Sequence, residues 1–249
     1  MEQQSLGAYF QCYKNPYATY KCLESFRKYY PHNTVVLLSN NGYDYTNMAK
    51  HFNCIYIHSN ESIPFVFENM EPQFIAEHMY KSINRYKDAF QLIKEEYVLW
   101  LEDDVVINNI ITGRFNYHLN GFCCNTVSRF WNINKIKDTY NFISPYREYV
   151  WTGHGGSVFN KNEMLRYFEN NSVLDDLSLH WELYKFPSNI CHDFFLSMLI
   201  HFNNGTIGPY EGHADGVGHI HSHINVQHQY KVFYNMELPD NLKHLCKTI

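Results

Sequence analysis

The chain has 249 residues, 45% of them hydrophobic and 17% aromatic, with a formal net charge of -5. That content supplies a packed core and excludes a disordered polymer, and the absence of a basic excess argues against nucleic acid as a partner. No apolar run approaches the roughly 18 residues of a membrane span, and "MEQQSLGAYF" lacks the basic start and apolar stretch of a signal peptide, so a cytoplasmic protein without a transmembrane segment is expected. The seven cysteines are scattered without CxxC spacing, which points to reduced thiols.

The first third of the chain alternates strands and helices. "LGAYFQCYK" (6–14) reads as a strand, and "NPYATYKCLESFRKYYP" follows as a helix with Asn15 placed to cap it, Pro16 at its first position and Pro31 just past its end. "TVVLLSN" (34–40) is an apolar strand that ends in "NNG". "YTNMAKHF" is a short helix, and "CIYIHS" (54–59) a third strand. This β-α-β-α-β order argues for a parallel sheet with right-handed crossovers. Residues 74–94 are helical in pattern and feed "YVLWLEDDVVI" (97–107), a strand whose apolar run is broken by Glu102, Asp103 and Asp104.

Ionised carboxylates buried without partners cost several kcal/mol each. Two explanations fit the triplet. A divalent cation with a taste for oxygen ligands, Mg²⁺ or Mn²⁺, would neutralise it and hold a phosphate; alternatively the strand end faces solvent. Ligands of open α/β sheets bind at the carboxyl ends of the strands, where this triplet falls.

The second half is less regular. "GFCCNTVSRFW" (121–131) reads as a strand. "VWTGHGGSVFNKNEMLRYF" (150–168) is a glycine-rich turn, a short strand and a helix that Asn160 or Asn162 could cap. "NICHDFFLSMLIHF" (189–202) is a helix near whose start stand His192 and Asp193. Gly155 and Gly156 mark either close backbone approach to a ligand or a tight turn. Trp151 is either a sugar-stacking ring or a core aromatic. If "GHIHSHI" is extended, His219, His221 and His223 share one face. No repeat or linker divides the chain, so one domain is expected, with a first half of about 7–115 and a second of about 116–230.

From about residue 7 to about 224 the chain resembles the nucleotide-sugar-dependent glycosyltransferases of the GT-A fold, family-2-like. The resemblance lies in "CYKNPYATYKCLESFRKYYPHNTVVLLSNNGYD", "YKSINRYKDAFQLIKEEYVLWLEDDVVI", "WTGHGGSVFN" and "CHDFFLSML", in that order. It implies a Rossmann-like three-layer α/β/α sandwich around a mostly parallel sheet, with Glu102-Asp103-Asp104 as the D-x-D motif. It implies a metal, Mn²⁺ or Mg²⁺, bound by Asp104, with Glu102 on the metal or on the ribose. The family also draws a ligand from its C-terminal segment, here His219 or His221. Donor contacts are implied for Tyr13, Asp44, Lys81, Arg85, Asp103, Gly155 and Gly156.

The sequence departs from the family in two places: the motif opens with Glu, and the carboxylate pair of the late helix reads His192-Asp193. Asp193 is the implied base in an inverting transfer from a nucleoside diphosphate sugar, UDP-sugar favoured, to a hydroxyl of a glycan or glycoconjugate. The alternatives are a sugar-nucleotide or glycan-binding protein without turnover and a nucleotidyltransferase. The latter's Gly- and Arg-rich loop after the first strand is missing from "CYKNPYA".

Overall fold

The computed structural model describes residues 5–64, 66–68, 72–122, 148–149, 152, 155–170, 189–214 and 223–248. Its frame is a seven-stranded sheet with strands in the order β10-β7-β8-β5-β1-β2-β3. Four central and edge strands, β5 (Tyr97–Leu101), β1 (Leu6–Cys12), β2 (Val35–Asn40) and β3 (Ile55–Ser59), run parallel. From the second half come β7 (Leu119–Asn120), β8 (Val158–Asn160) and β10 (Ile207–Gly208), with β8 antiparallel to both β5 and β7.

β1, β2 and β5 are almost continuously apolar because helices cover both faces of the sheet there, whereas β3 at the edge is only half-buried. Side chains alternate across the sheet, which sorts the core into two layers. Tyr9, Val36, Leu38, Val98 and Trp100 point to the layer of α3 (Pro72–Leu92), α4 (Lys161–Phe168) and α5 (His192–Phe202). Ala8, Phe10, Leu37, Leu99 and Leu101 point to the layer of α1 (Pro16–Tyr29) and α2 (Thr46–His51). α1 and α3 each owe their place to one apolar stripe: Ala18, Cys22 and Phe26 in α1 recur every fourth residue, and Met79, Ile83, Tyr86 and Phe90 in α3 every third or fourth. Burying one such side chain contributes roughly 1.5–3 kcal/mol.

Several expected elements differ in detail. Asn15 stands ahead of α1, and its carbonyl accepts from the Thr19 N–H, but its side chain does not cap the helix. Asn160 does cap α4, accepting from the Glu163 N–H at 3.2 Å. The expected helix 189–202 divides into β9 (Asn189–Cys191), which pairs with β4 (Val66–Glu68), and α5. The expected strand 121–131 lies, from residue 123 on, outside the described residues; β7 stands just ahead of it.

The apolar run of 97–107 is two strands. β5 ends at Leu101, the chain turns with the Val105 N–H donating to the Glu102 carbonyl, and β6 (Val106–Ile107) leaves for a second sheet, in which it pairs with β12 (Val226–Gln227) and β12 with β11 (His213–Ala214). Among the described residues no helix is long and apolar enough to cross a membrane, and Cys12, Cys22, Cys54 and Cys246 are free thiols.

Candidate active site

At the carboxyl ends of β1 and β5 lies a cavity of about 490 Å³. Glu102, Asp103, Asp104 and Asp193 line it, together with Gln11, Tyr13, Asn15, His228 and Lys231. Four carboxylates around one space repel each other, so the way each is held decides what the site can do.

Asp103 is held by the protein. The Asn15 amide donates to its Oδ2 at 2.7 Å, and the Tyr234 hydroxyl donates to Oδ1. Burial pushes its carboxyl up, and these two donors pull it back. This is why Asn15 does not cap α1: a buried carboxylate is the stronger claimant for its amide.

Asp104 is held differently. It is 5% exposed, and its Oδ1 accepts no hydrogen bond among the described residues. Burial, and after it the charge of Glu102, raise its carboxyl to about 6. A buried acceptor without a donor is the arrangement a cation would satisfy.

The third group is His228. Its Nε2 lies 3.2 Å from Glu102 Oε2 and 3.4 Å from Asp104 Oδ1, and one ligand atom from each of the three residues falls within 4.8 Å of the others. The second sheet puts it there. β12 (Val226–Gln227) pairs antiparallel with β6, Val226 opposite Ile107 and Gln227 opposite Val106. One step further along that register sets His228 beside Val105, next to Asp104, and the Tyr230 N–H donates to the Asp104 carbonyl at 2.9 Å. Two carboxylates and an imidazole, one carboxylate oxygen being an orphan, fit a divalent cation.

Gly155 lies against the His228 ring, and a Cβ built there would overlap its Cδ2 and Nε2. Gly155→Ala is therefore expected to move the imidazole off the carboxylates and weaken Mn²⁺ binding about 10- to 100-fold, as loss of ligand support does elsewhere. An Mn²⁺ titration followed by thermal shift checks this; unchanged affinity would show that His228 is not held by that contact. Gly156 has φ +80, a backbone region L side chains rarely adopt, and its carbonyl accepts from the buried Tyr210 hydroxyl at 2.6 Å.

The other residues singled out in the sequence are placed as follows. Tyr13, 40% exposed, is at the cavity rim. Asp44 is not among the lining residues. The Thr46 hydroxyl, and after it the Thr46 N–H that donates to Oδ1 at 2.8 Å, hold its carboxyl low, and its backbone bridges to Lys247. Lys81 is ion-paired with Glu61 and Glu77 on the exposed side of α3. Arg85 donates to Asn40 Oδ1, Ser59 Oγ and the Glu61 carbonyl, tying together the ends of β2 and β3.

Asp193, in the first turn of α5, faces the cavity, whereas its neighbour His192 is 1% exposed in the core and hydrogen-bonded through Nδ1 to the Tyr86 hydroxyl. Trp151, His219 and His221 lie outside the described residues. Sequence reasoning missed His228, Tyr234 and Gln11. The first two are brought in by a C-terminal segment that carries no local signature, and Gln11 reads as part of an apolar strand.

No family model and no curated protein matches the sequence. Solved structures do match over nearly the whole chain. A galactosyltransferase, LgtC, in complex with donor and acceptor sugar analogues superposes with a TM-score of 0.54 at 12% identity, covering 96% of this chain and 99% of that one. Mouse xyloside xylosyltransferase 1 in its apo form gives 0.53 at 11% identity, covering 94% and 99%. The bifunctional glycosyltransferase WbbM gives 0.50 at 10%, covering 92% of this chain and 46% of that one. The mixed α/β sandwich with its mostly parallel seven-stranded sheet is thus the GT-A fold, shared with these glycosyltransferases.

Proposed function

We propose that this chain is a metal-dependent glycosyltransferase that moves a sugar from a nucleoside diphosphate sugar, UDP-sugar favoured, to a hydroxyl of a glycan or glycoconjugate. The observation that carries the reading is the orphaned Oδ1 of Asp104 beside Glu102 and His228, on a cavity that also receives Asp193. The fold permits many chemistries, and this site selects among them.

Asp104, Glu102 and His228 would hold the cation, and the nitrogen ligand favours Mn²⁺ over Mg²⁺, which prefers oxygen alone. Once bound, the cation supplies positive charge to a diphosphate leaving group. Asp103, already saturated by Asn15 and Tyr234, braces the loop between β1 and α1 against the motif. Lys231, whose Nζ lies 4.0 Å from Asp104 Oδ2, adds a second positive charge at the mouth.

Asp193 acts as base. It takes the proton of the acceptor hydroxyl while that oxygen bonds to the anomeric carbon. The bond from that carbon to the diphosphate oxygen breaks on the opposite face with its electron pair, so the configuration inverts.

The test is a thermal-shift panel of UDP, GDP, CMP, TDP and their common sugar conjugates, with Mn²⁺ or with EDTA. A ligand at about 100 times its Kd stabilises by about 2.7 kcal/mol, a rise of about 5–10 °C for a chain of this size. The expected result is a rise with one nucleotide family that EDTA removes. No rise with any nucleotide in Mn²⁺ would overturn the reading.

A further inference from the structure

β1 is an apolar strand with one amide in it. Gln11 is 4% exposed and lies on the same face of the sheet as Tyr9, two residues earlier. Tyr9 packs edge-on against Tyr86 of α3 and Trp100 of β5. Gln11 therefore belongs to the side of the sheet on which α5 presents Asp193.

The Tyr9 hydroxyl donates to Gln11 Oε1 at 2.8 Å, and burial raises the phenol well above its ordinary range, so it remains a donor. This bond fixes Oε1 on the Tyr9 hydroxyl and leaves Nε2 as the unengaged end of a side chain that lines the cavity with Glu102, Asp104 and Asp193. Nε2 has no hydrogen-bond partner among the described residues. A buried donor left unpaired costs about 1–3 kcal/mol, which a ligand acceptor would recover on binding.

The neighbouring groups define that acceptor. Asn15 and Tyr234 donate to Asp103, and His228 faces Glu102 and Asp104. The carboxylates accept only. A sugar hydroxyl that donates its proton to one of them still needs a donor for its own oxygen.

We infer that Gln11 is a substrate-positioning residue that sets specificity, its Nε2–H donating to a hydroxyl oxygen of the sugar being transferred. The inference rests on the donor reading above. It assigns Gln11 to the sugar and not to the nucleotide, because its face of the sheet is that of Asp193 and not that of the β1–α1 loop.

The experiment is calorimetric titration, in Mn²⁺, of the parent chain and Gln11→Met with UDP, GDP, UDP-glucose, UDP-galactose, UDP-xylose and GDP-mannose. Met keeps the length and loses the donor. Bare nucleoside diphosphate is expected to bind the variant within twofold of the parent, and the sugar nucleotide about tenfold more weakly. A Tyr9→Phe, Gln11→Met double variant removes both partners of the internal bond, so the core keeps its shape with no orphan, and should show the same split if Met alone disturbs folding. Equal weakening of bare and sugar-bearing nucleotides, or no weakening, overturns the assignment of Gln11 alone. A parent chain that binds none of the six probes overturns the donor reading, and this inference with it.

Discussion

Asp104→Asn is expected to melt at the parent's temperature or above it in metal-free buffer at pH 7.5, to lose the Mn²⁺-induced rise, and to transfer sugar about 10²- to 10³-fold more slowly. The two effects have one cause. Asp104 is buried, its Oδ1 accepts no hydrogen bond among the described residues, and burial with the charge of Glu102 raises its carboxyl from 3.8 to about 6. Between those values the folded chain binds more protons at this site than the unfolded chain, so stability falls as pH rises from about 4 to about 6 and stays lowered above that window. Asn cannot ionise and escapes this loss. A function that requires the charge would explain why a carboxylate is kept where an amide is cheaper for folding. Melting curves at pH 4, 6 and 7.5, with and without Mn²⁺, and a single-turnover rate decide it. A variant that keeps the metal-induced rise would place the cation elsewhere.

The frame of the molecule was legible because its signals are local. Pro16, the "NNG" turn after β2 and the apolar stretches of β1, β2, β3 and β5 mark element ends to within a residue or two. The break at Glu102 was legible too, since three consecutive acids do not continue a buried strand. What could not be read are contacts made at long range. His228 reaches Glu102 across 126 positions, through the two-residue strands β6 and β12, which are too short to show a period. His219 and His221 show a pattern because alternation is a local signal, and both lie outside the described residues. Asn15 illustrates the same limit. Its position before a helix predicts a cap, and only the buried Asp103, 88 positions away, redirects its amide.

The C-terminal segment completes the site in more than one place. Residues 228–234 supply His228, Lys231 and Tyr234 to the cavity, and the backbone leaves the right-handed regions at Gln229 (φ 61) and Asn235 (φ 58), one near each end. Further on, Lys247 bridges to Asp44 and Asn47 donates to the His244 carbonyl, which anchors the tail beside α2. The tail thus connects the metal-ligand candidates to the end of β2, where a nucleoside would lie if the donor reading holds. A donor would then bind a surface assembled from both ends of the chain.

Asp193→Asn is expected to lower single-turnover transfer by about 10²- to 10⁴-fold while leaving Mn²⁺-dependent binding of the donor within twofold. The amide keeps the shape of the side chain in the first turn of α5 and removes its capacity to take a proton. The reason to expect so clean a separation is geometric. Asp193 lines the cavity with Asp104, but the candidate ligand set of Glu102, Asp104 and His228 does not include it. Loss of favourable interaction with the helix dipole would change stability by only about 0.3–1 kcal/mol, too little to imitate a rate effect of that size. The configuration of the product at the anomeric carbon, read by NMR against that of the donor, supplies the second arm. Inversion together with a slow Asp193→Asn variant supports a single displacement with Asp193 as base. Retention of configuration, or full activity in the variant, would remove Asp193 from that role while leaving the cation site to be judged on Asp104 alone.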